Sequence, residues 1–267
     1  MEIQFIDHFD EESRHLPRYY QFWNDEQAEK KKKMWVDDEN YEEQCTRIIE
    51  MQKQKGLYRD TEEVVHYIPT GGVGISLAAG SCWDAAVVVK KARPKKMYFL
   101  DFSEHRIFKN APIMLKNYLH LDEICDITLI HGDYYNTKLD GGVLDFASMS
   151  MALMMAEYPE RLLAEVRRLL KPKGIAIIMG EPRFSSEIVI KSVIKMHLIM
   201  LQEKLKGGEQ SEKVTNYKKR HALNTDSGGA NAYAMGTYKK MFRKSGFRIL
   251  EIKKGNPQFW GFVLQAI

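Results

Sequence analysis

From Glu63 onward, short apolar runs alternate with longer amphipathic stretches. GISL precedes WDAAVVVKKAR, MYFLDFS precedes IFKNAPIMLKNYLH, and ITLIHGD is followed by VLDFASMS. PERLLAEVRRLLKP then leads into GIAIIMGE, and the chain closes with TYKKMFRKSG, FRILEIKKG and QFWGFVLQAI. Apolar runs separated by helix-period segments are the pattern of βαβ units and a parallel sheet. The runs are nearly continuous instead of alternating, as expected of strands buried on both faces. The pattern predicts an α/β fold: a doubly wound, mostly parallel seven-stranded sheet with helices on both faces.

Two segments fall outside the alternation. Residues 1–62 are polar, aromatic and helix-prone, and they gather Tyr19, Tyr20, Phe22 and Trp23 in one stretch. They are expected to form a helical cap on a main domain spanning 63–267. Residues 184–236 interrupt that domain before its last helix. FSSEIVIKSVIKMHLIMLQEKLKGG has the texture of one long amphipathic helix, and NTDSGGANAYAMG that of a loop. This insertion is expected on the substrate side.

Composition narrows the class without naming a function. Of 267 residues, 44% are hydrophobic and 28% charged, enough for a substantial core. The formal charge of +4 comes from 40 basic and 36 acidic groups interspersed along the chain, so charge alone does not imply a nucleic-acid partner. Cys45, Cys82 and Cys125 are scattered and form no CxxC pair. They read as reduced thiols, not as a disulfide framework or a zinc site, and no metal is expected. The acidic N-terminus does not resemble a signal peptide, and no apolar run approaches the ~18 residues of a membrane span. A cytoplasmic protein without a membrane partner is the expectation.

In a doubly wound sheet the ligand lies at the carboxyl ends of the strands, beside a turn of small residues. An acid ending the next strand, about twenty residues on, holds ribose hydroxyls. Two segments compete for that turn. TGGVG is the conspicuous one and resembles the glycine turn of quinone-reductase-like nicotinamide enzymes. Its last glycine, Gly74, lies 27 residues before Asp101, and an apolar run follows at once. In the other register Gly74 to Leu77 form the strand and Ala78 to Cys82 the turn. Gly80 then precedes Asp101 by 21 residues. The spacing favours the second register.

GISLAAGSC in that register resembles the first motif of class I S-adenosylmethionine-dependent methyltransferases, in a worn form. Ser76 stands where the family has an acid, and Ala78, Gly80 and Cys82 stand at the three glycine positions. Ala at the first position costs little at negative φ, whereas a positive φ would strain it. MYFLDFSEHRI is similar to the second motif and ITLIHGDYYN to the third. VLDFASMSMALMM, the helix after it, and Leu170 to Gly174 are similar to the fourth strand, its helix and the LKPGG turn. Together these cover about residues 74–182 and 237–267. The resemblance implies S-adenosylmethionine as cofactor, with Ser76, Ala78, Gly80, Cys82, Asp101, Phe102, Asp133, Tyr134 and Ser148 at its site. Asp101 would accept the ribose hydroxyls and Asp133 the adenine amino group.

Each of these residues also has a plainer reading. Asp101 can cap a helix start, Asp133 suits a turn, and Cys82 is a small packing residue.

Methyl transfer from a sulfonium depends mainly on in-line positioning of the acceptor. A general base helps where the nucleophile carries a proton. Candidates are His221, Glu181 and Tyr20, together with Tyr19 and Trp23 of the cap, Arg183 after the fifth strand and Tyr233 of the insertion. His221 has the side chain best suited by its ordinary pKa, although it sits in a lysine-rich stretch. The leading function is methyl transfer to a small-molecule acceptor held under the aromatic cap. RNA modification stays open on EKKKK, EKLKGG and YKKRH. So do a non-catalytic cofactor-binding or partner-regulating subunit and a nicotinamide reductase using TGGVG.

Overall fold

The apolar runs form the strands of one mostly parallel sheet, as their pattern predicts. The structure is a computed structural model that describes residues 3–9, 39–183, 232–254 and 258–267. Its first half comprises β1 (Gln4–Asp7), α1 (Tyr41–Gln54), α2 (Leu57–Val64), β2 (Val73–Leu77), α3 (Ala85–Ala92), β3 (Lys96–Asp101) and β4 (Asp126–His131). Then follow β5 (Leu144–Ser150), α4 (Pro159–Leu169), β6 (Leu170–Pro182), α5 (Met235–Lys244), β7 (Phe247–Lys253) and β8 (Phe259–Ala266). One sheet takes the order β1-β4-β3-β2-β5-β6-β8-β7. The pairs from β1 through β6 are parallel, while β8 runs antiparallel to both β6 and β7. The chain moves outward from β2 to β3 and β4, then returns to place β5 on the other side of β2. The crevice between β2 and β5 is therefore the switch point, where such sheets bind ligands.

The sheet has eight strands where seven were expected. The extra strand comes from the N-terminal segment, which was expected to be helical throughout. Gln4–Asp7 pairs with β4 from Gln4↔Thr128 to Asp7↔His131. His131 holds it there: its backbone carbonyl accepts from the His8 amide at 2.9 Å and its Nδ1 lies 3.1 Å from Asp7 Oδ1. Phe9 stacks on the same imidazole at 4.7 Å between ring centroids. Four residues in a polar context carry too little periodicity to be read as a strand, and partners distant in sequence supply the stability.

Both faces of the sheet are covered. On one, Met97, Phe99 and Phe146 pack with Val87 and Val88 of α3, Leu57 of α2, and Cys45, Ile48 and Ile49 of α1. The three α1 residues follow the helical i, i+3, i+4 spacing that puts them on one face. On the other, Ile75, Leu77, Leu100 and Ile178 pack with Leu162, Leu163 and Val166 of α4 and Tyr238, Met241 and Phe242 of α5.

Two local expectations change. IFKNAPIMLKNYLH forms two π-helical turns, Arg106–Asn110 and Ile113–Tyr118. Pro112 between them lacks the amide that a regular α-helix would use. The segment Leu170 to Gly174 stays extended at the start of β6, with Lys173 at φ 66°. The register jumps there from Leu144↔Leu170 to Phe146↔Ile175, so the turn expected from sequence becomes a bulge in a continuous strand.

Candidate active site

The turn after β2 brings the first group of residues together. Ala78, Gly80 and Cys82 all have positive φ, at 52°, 55° and 55°. Three left-handed residues in so short a stretch fold the backbone back over the strand ends. The turn is tied to β3: the Gly80 amide donates to Asp101 Oδ2 at 2.7 Å, and the Ala79 amide to the Leu100 carbonyl at 3.0 Å. Asp101 Oδ1 accepts from the Ser103 amide at 2.8 Å. The carboxylate is thus buried and fixed, with each oxygen bonded to one amide. A carboxylate oxygen accepts more than one hydrogen bond, so the same group suits a pair of ribose hydroxyls. Among the described residues, a Cβ placed on Gly80 would meet Arg106 Nη1 at 3.7 Å and no other atom within 4 Å.

The end of β4 contributes the second group. The Gly132 amide donates to the Asp101 carbonyl at 3.1 Å, which sets the following loop beside the turn. Asp133 Oδ1 accepts from the Tyr135 amide at 2.8 Å, closing a local turn, and Tyr134 meets Tyr135 edge-on at 4.6 Å. The loop is anchored below by Glu165 of α4, whose Oε1 accepts from both the Thr137 amide at 2.9 Å and its hydroxyl at 2.6 Å. Burial pushes the Glu165 carboxyl up, yet the bonds from Arg168 and Thr137 outweigh it and hold the group below its ordinary range. Phe102, next to Asp101, meets Phe9 edge-on at 5.0 Å.

The third group lies at the switch point. Ser76 and Ser148 are register partners across β2 and β5. Both hydroxyls donate to Asp84 Oδ2, at 2.7 Å and 3.2 Å. Cys82 beside them is fully buried, and that burial pushes its thiol well above the ordinary range, with Asp84 and Asp101 adding to the effect. A neutral, inaccessible thiol serves packing and not nucleophilic chemistry.

Glu181 ends β6 on the same side of the sheet and is completely buried. Its Oε1 accepts from the Leu153 amide at 3.2 Å, fixing the loop that follows β5. Its Oε2 has no hydrogen-bond partner among the described residues. Burial raises its carboxyl to about 8, against which the Leu153 and Met154 amides pull only weakly. Tyr233 and Tyr238 lie near enough to feel its charge. Arg183 turns away from this group: it donates to the carbonyls of Phe259 and Lys254 and covers the Trp260 ring at 4.0 Å.

Ser76, Ala78, Gly80, Cys82, Asp101, Phe102, Asp133, Tyr134 and Ser148 therefore gather at the carboxyl ends of β2 to β5, and Glu181 ends the neighbouring β6. His221, Tyr19, Tyr20 and Trp23 lie outside the described residues. Sequence reasoning passed over Asp84. An acid just beyond a small-residue turn, in a chain whose first strand lacks one, was the available signal.

Comparisons with known proteins bear on the fold that carries these residues. Residues 76–178 match the family model described as a methyltransferase domain. The demethylmenaquinone methyltransferase of Bacillus mycoides is 24% identical over 133 residues, which are 49% of this chain and 54% of that protein. The chain thus spans about half the length of the curated relative it matches. An S-adenosylmethionine-dependent methyltransferase from Aquifex aeolicus superposes with a TM-score of 0.57 at 12% identity, covering 84% of this chain and 98% of its own. The geranyl diphosphate C-methyltransferase of Streptomyces coelicolor gives a TM-score of 0.56 at 10% identity, covering 88% of each chain. Residues 76–178 are thus similar to a methyltransferase domain, and the chain shares the fold of S-adenosylmethionine-dependent methyltransferases. Among the described residues no helix is long and apolar enough to cross a membrane.

Proposed function

We propose that the protein transfers a methyl group from S-adenosylmethionine to a small organic acceptor. The observation that carries this reading is the Asp101 carboxylate, buried at the end of β3 and locked onto the Gly80 amide of the turn after β2. That pairing gives an acid for ribose hydroxyls and a glycine surface within one hydrogen bond of each other. Tyr134 and Asp133 flank it on the adenine side, and Ser76, Ser148 and Asp84 on the methionine side. When bound, the sulfonium cofactor supplies an already activated methyl group.

What remains for the chain is orientation and handling of one acceptor proton. Glu181 suits that second task. It ends β6, the strand beside β5, and burial brings its carboxyl to about 8, so it exchanges a proton near neutral pH. The curated relative and the Streptomyces enzyme are named for small organic substrates, demethylmenaquinone and geranyl diphosphate, which supports the same acceptor class here. The aromatic stretch at Tyr19, Tyr20, Phe22 and Trp23 would then cover the acceptor.

Calorimetry with S-adenosylhomocysteine tests the cofactor, and transfer of labelled methyl into fractionated cell extract tests the acceptor. The expected result is stoichiometric binding, with label in the low-mass fraction. Absence of binding would overturn the cofactor, and label confined to RNA would overturn the acceptor class.

A further inference from the structure

Asp84 is a buried carboxylate with one oxygen, Oδ1, for which no described residue supplies a hydrogen bond. It precedes α3 but does not cap it, because its side chain turns back to the sheet. Two serine hydroxyls converge on Oδ2, while Oδ1 is buried and has no hydrogen-bond partner among the described residues. No ion pair to a described lysine, arginine or histidine offsets the charge. Burial raises this carboxyl, and the two serines with the amides of Asp84 and Ala85 work against the rise. A donor that reaches Oδ1 would complete the site, and a cationic donor would offset the buried charge as well.

The location limits the choice of that group. Ser76 and Ser148 face each other across β2 and β5 at the switch point, and both hydroxyls are spent on Asp84. The left-handed turn from Ala78 to Cys82 follows Ser76 within two residues. Of the two cations in S-adenosylmethionine, the sulfonium has no proton to donate, whereas the α-ammonium has three. The strand position where a carboxylate is expected holds Ser76, and the serine hydroxyl is bonded to a carboxylate arriving from eight residues further along the chain.

We propose that Asp84 is the anionic group that receives the α-ammonium of S-adenosylmethionine, its side chain carried from the start of α3 to the end of β2 and held there by Ser76 and Ser148. The proposal rests on the cofactor reading above. It explains how a worn motif keeps a cofactor subsite: the charge has moved in sequence and not in space. It also assigns the two serines a positioning role.

Calorimetric titrations with S-adenosylhomocysteine and with its deamino analogue test the proposal without any catalysis. The wild-type chain should favour the amino-bearing ligand by about tenfold or more, the scale of one charge-assisted hydrogen bond in a buried site. Asp84→Asn should lose that preference by weakening S-adenosylhomocysteine alone. The double variant Ser76→Asp/Asp84→Ser, which puts the carboxylate back on the strand, should restore it. Asp84→Asn relieves a buried charge, so its melting temperature should not fall. If it does fail to fold, the double variant decides by itself whether a carboxylate at this point sets the preference. Equal weakening of both ligands, or unchanged affinity for S-adenosylhomocysteine in Asp84→Asn, overturns the proposal. A wild-type chain that binds neither ligand overturns the cofactor reading instead.

Discussion

The Gly80 amide donates to Asp101 Oδ2 at 2.7 Å, across 21 residues of sequence. One bond joins the turn after β2 to the end of β3, so the carboxylate that would face a ribose also shapes the glycine surface beside it. Removing it has two consequences. Asp101→Ala leaves the Gly80 and Ser103 amides without their acceptor inside a buried site, at a cost of roughly 1–3 kcal/mol in stability. It also removes a charge-assisted acceptor, and S-adenosylhomocysteine affinity should fall by about tenfold to a hundredfold. Asp101→Asn can still accept at one oxygen and should lose affinity with a smaller fall in stability. Chemical denaturation and calorimetry on both variants measure the two effects separately. Unchanged affinity in Asp101→Ala would mean that the turn was assigned to the wrong strands.

The left-handed turn carries a cost that sequence reading expected only if φ were positive. Ala78 has φ 52°, in the region that disfavours a Cβ. Its strain is on the order of 1 kcal/mol, partly offset by the smaller entropy that alanine loses on folding. Ala78→Gly should therefore raise stability slightly, by up to about 1 kcal/mol, and leave S-adenosylhomocysteine affinity equal or improved. Urea denaturation midpoints read the first effect. Cys82 has φ 55° but is fully buried, so Cys82→Gly should give no comparable gain, because lost packing opposes the relieved strain. A fall in stability for Ala78→Gly would show that the alanine methyl is needed more than the backbone is strained.

The sheet was legible because its strands are apolar runs bounded by helices, and such patterning survives without any knowledge of tertiary contacts. β1 was not legible, since Gln4–Asp7 owes its place to His131 and to the edge of β4. The cofactor end was readable as far as spacing reached: Gly80 to Asp101 was fixed by the length of one crossover. Asp84 was not, because its role depends on a side chain turning away from its own helix toward two serines that are distant in sequence. Glu181 was readable as a strand-end acid, but its raised carboxyl depends on complete burial, which no local pattern announces.

TGGVG shows how a glycine run can mislead. Gly71 has φ 72° in the turn before β2, and its amide donates to the Arg93 carbonyl at 3.0 Å. Gly74 lies inside β2 against Phe146 of β5, where an added Cβ would come within 2.1 Å of the ring. That ring is itself fully buried and cannot move aside cheaply. Gly74 is thus a packing glycine. Gly74→Ala should destabilise the fold by about 1–3 kcal/mol through overpacking, and Phe146→Leu in the same chain should recover part of the loss. Thermal unfolding of the single and double variants measures this. Equal stability of Gly74→Ala and wild type would rule out the close approach of ring and strand.

Glu181 links stability and the proposed chemistry through one proton. Its carboxyl is raised from 4.5 to about 8 by burial. Between those values the native state keeps the proton and the unfolded chain has released it. The native state thus binds more protons, and stability must fall as pH rises through this window. The contribution is fully present below the unfolded value and lost by the time pH passes the folded one. The slope is about 1.4 kcal/mol per pH unit in the middle of the window. Glu181→Gln resembles the protonated acid and keeps an oxygen for the Leu153 amide. It should match wild type near pH 5, exceed it near pH 9, and lose this part of the pH dependence. The difference between the two proteins in urea unfolding across the range isolates Glu181 from the histidines. If Glu181 also takes the acceptor proton, the wild-type methylation rate rises with pH toward a plateau above about 8, and the rise is absent in Glu181→Gln. Identical rate profiles, with the stability difference still present, would restrict Glu181 to holding the loop after β5.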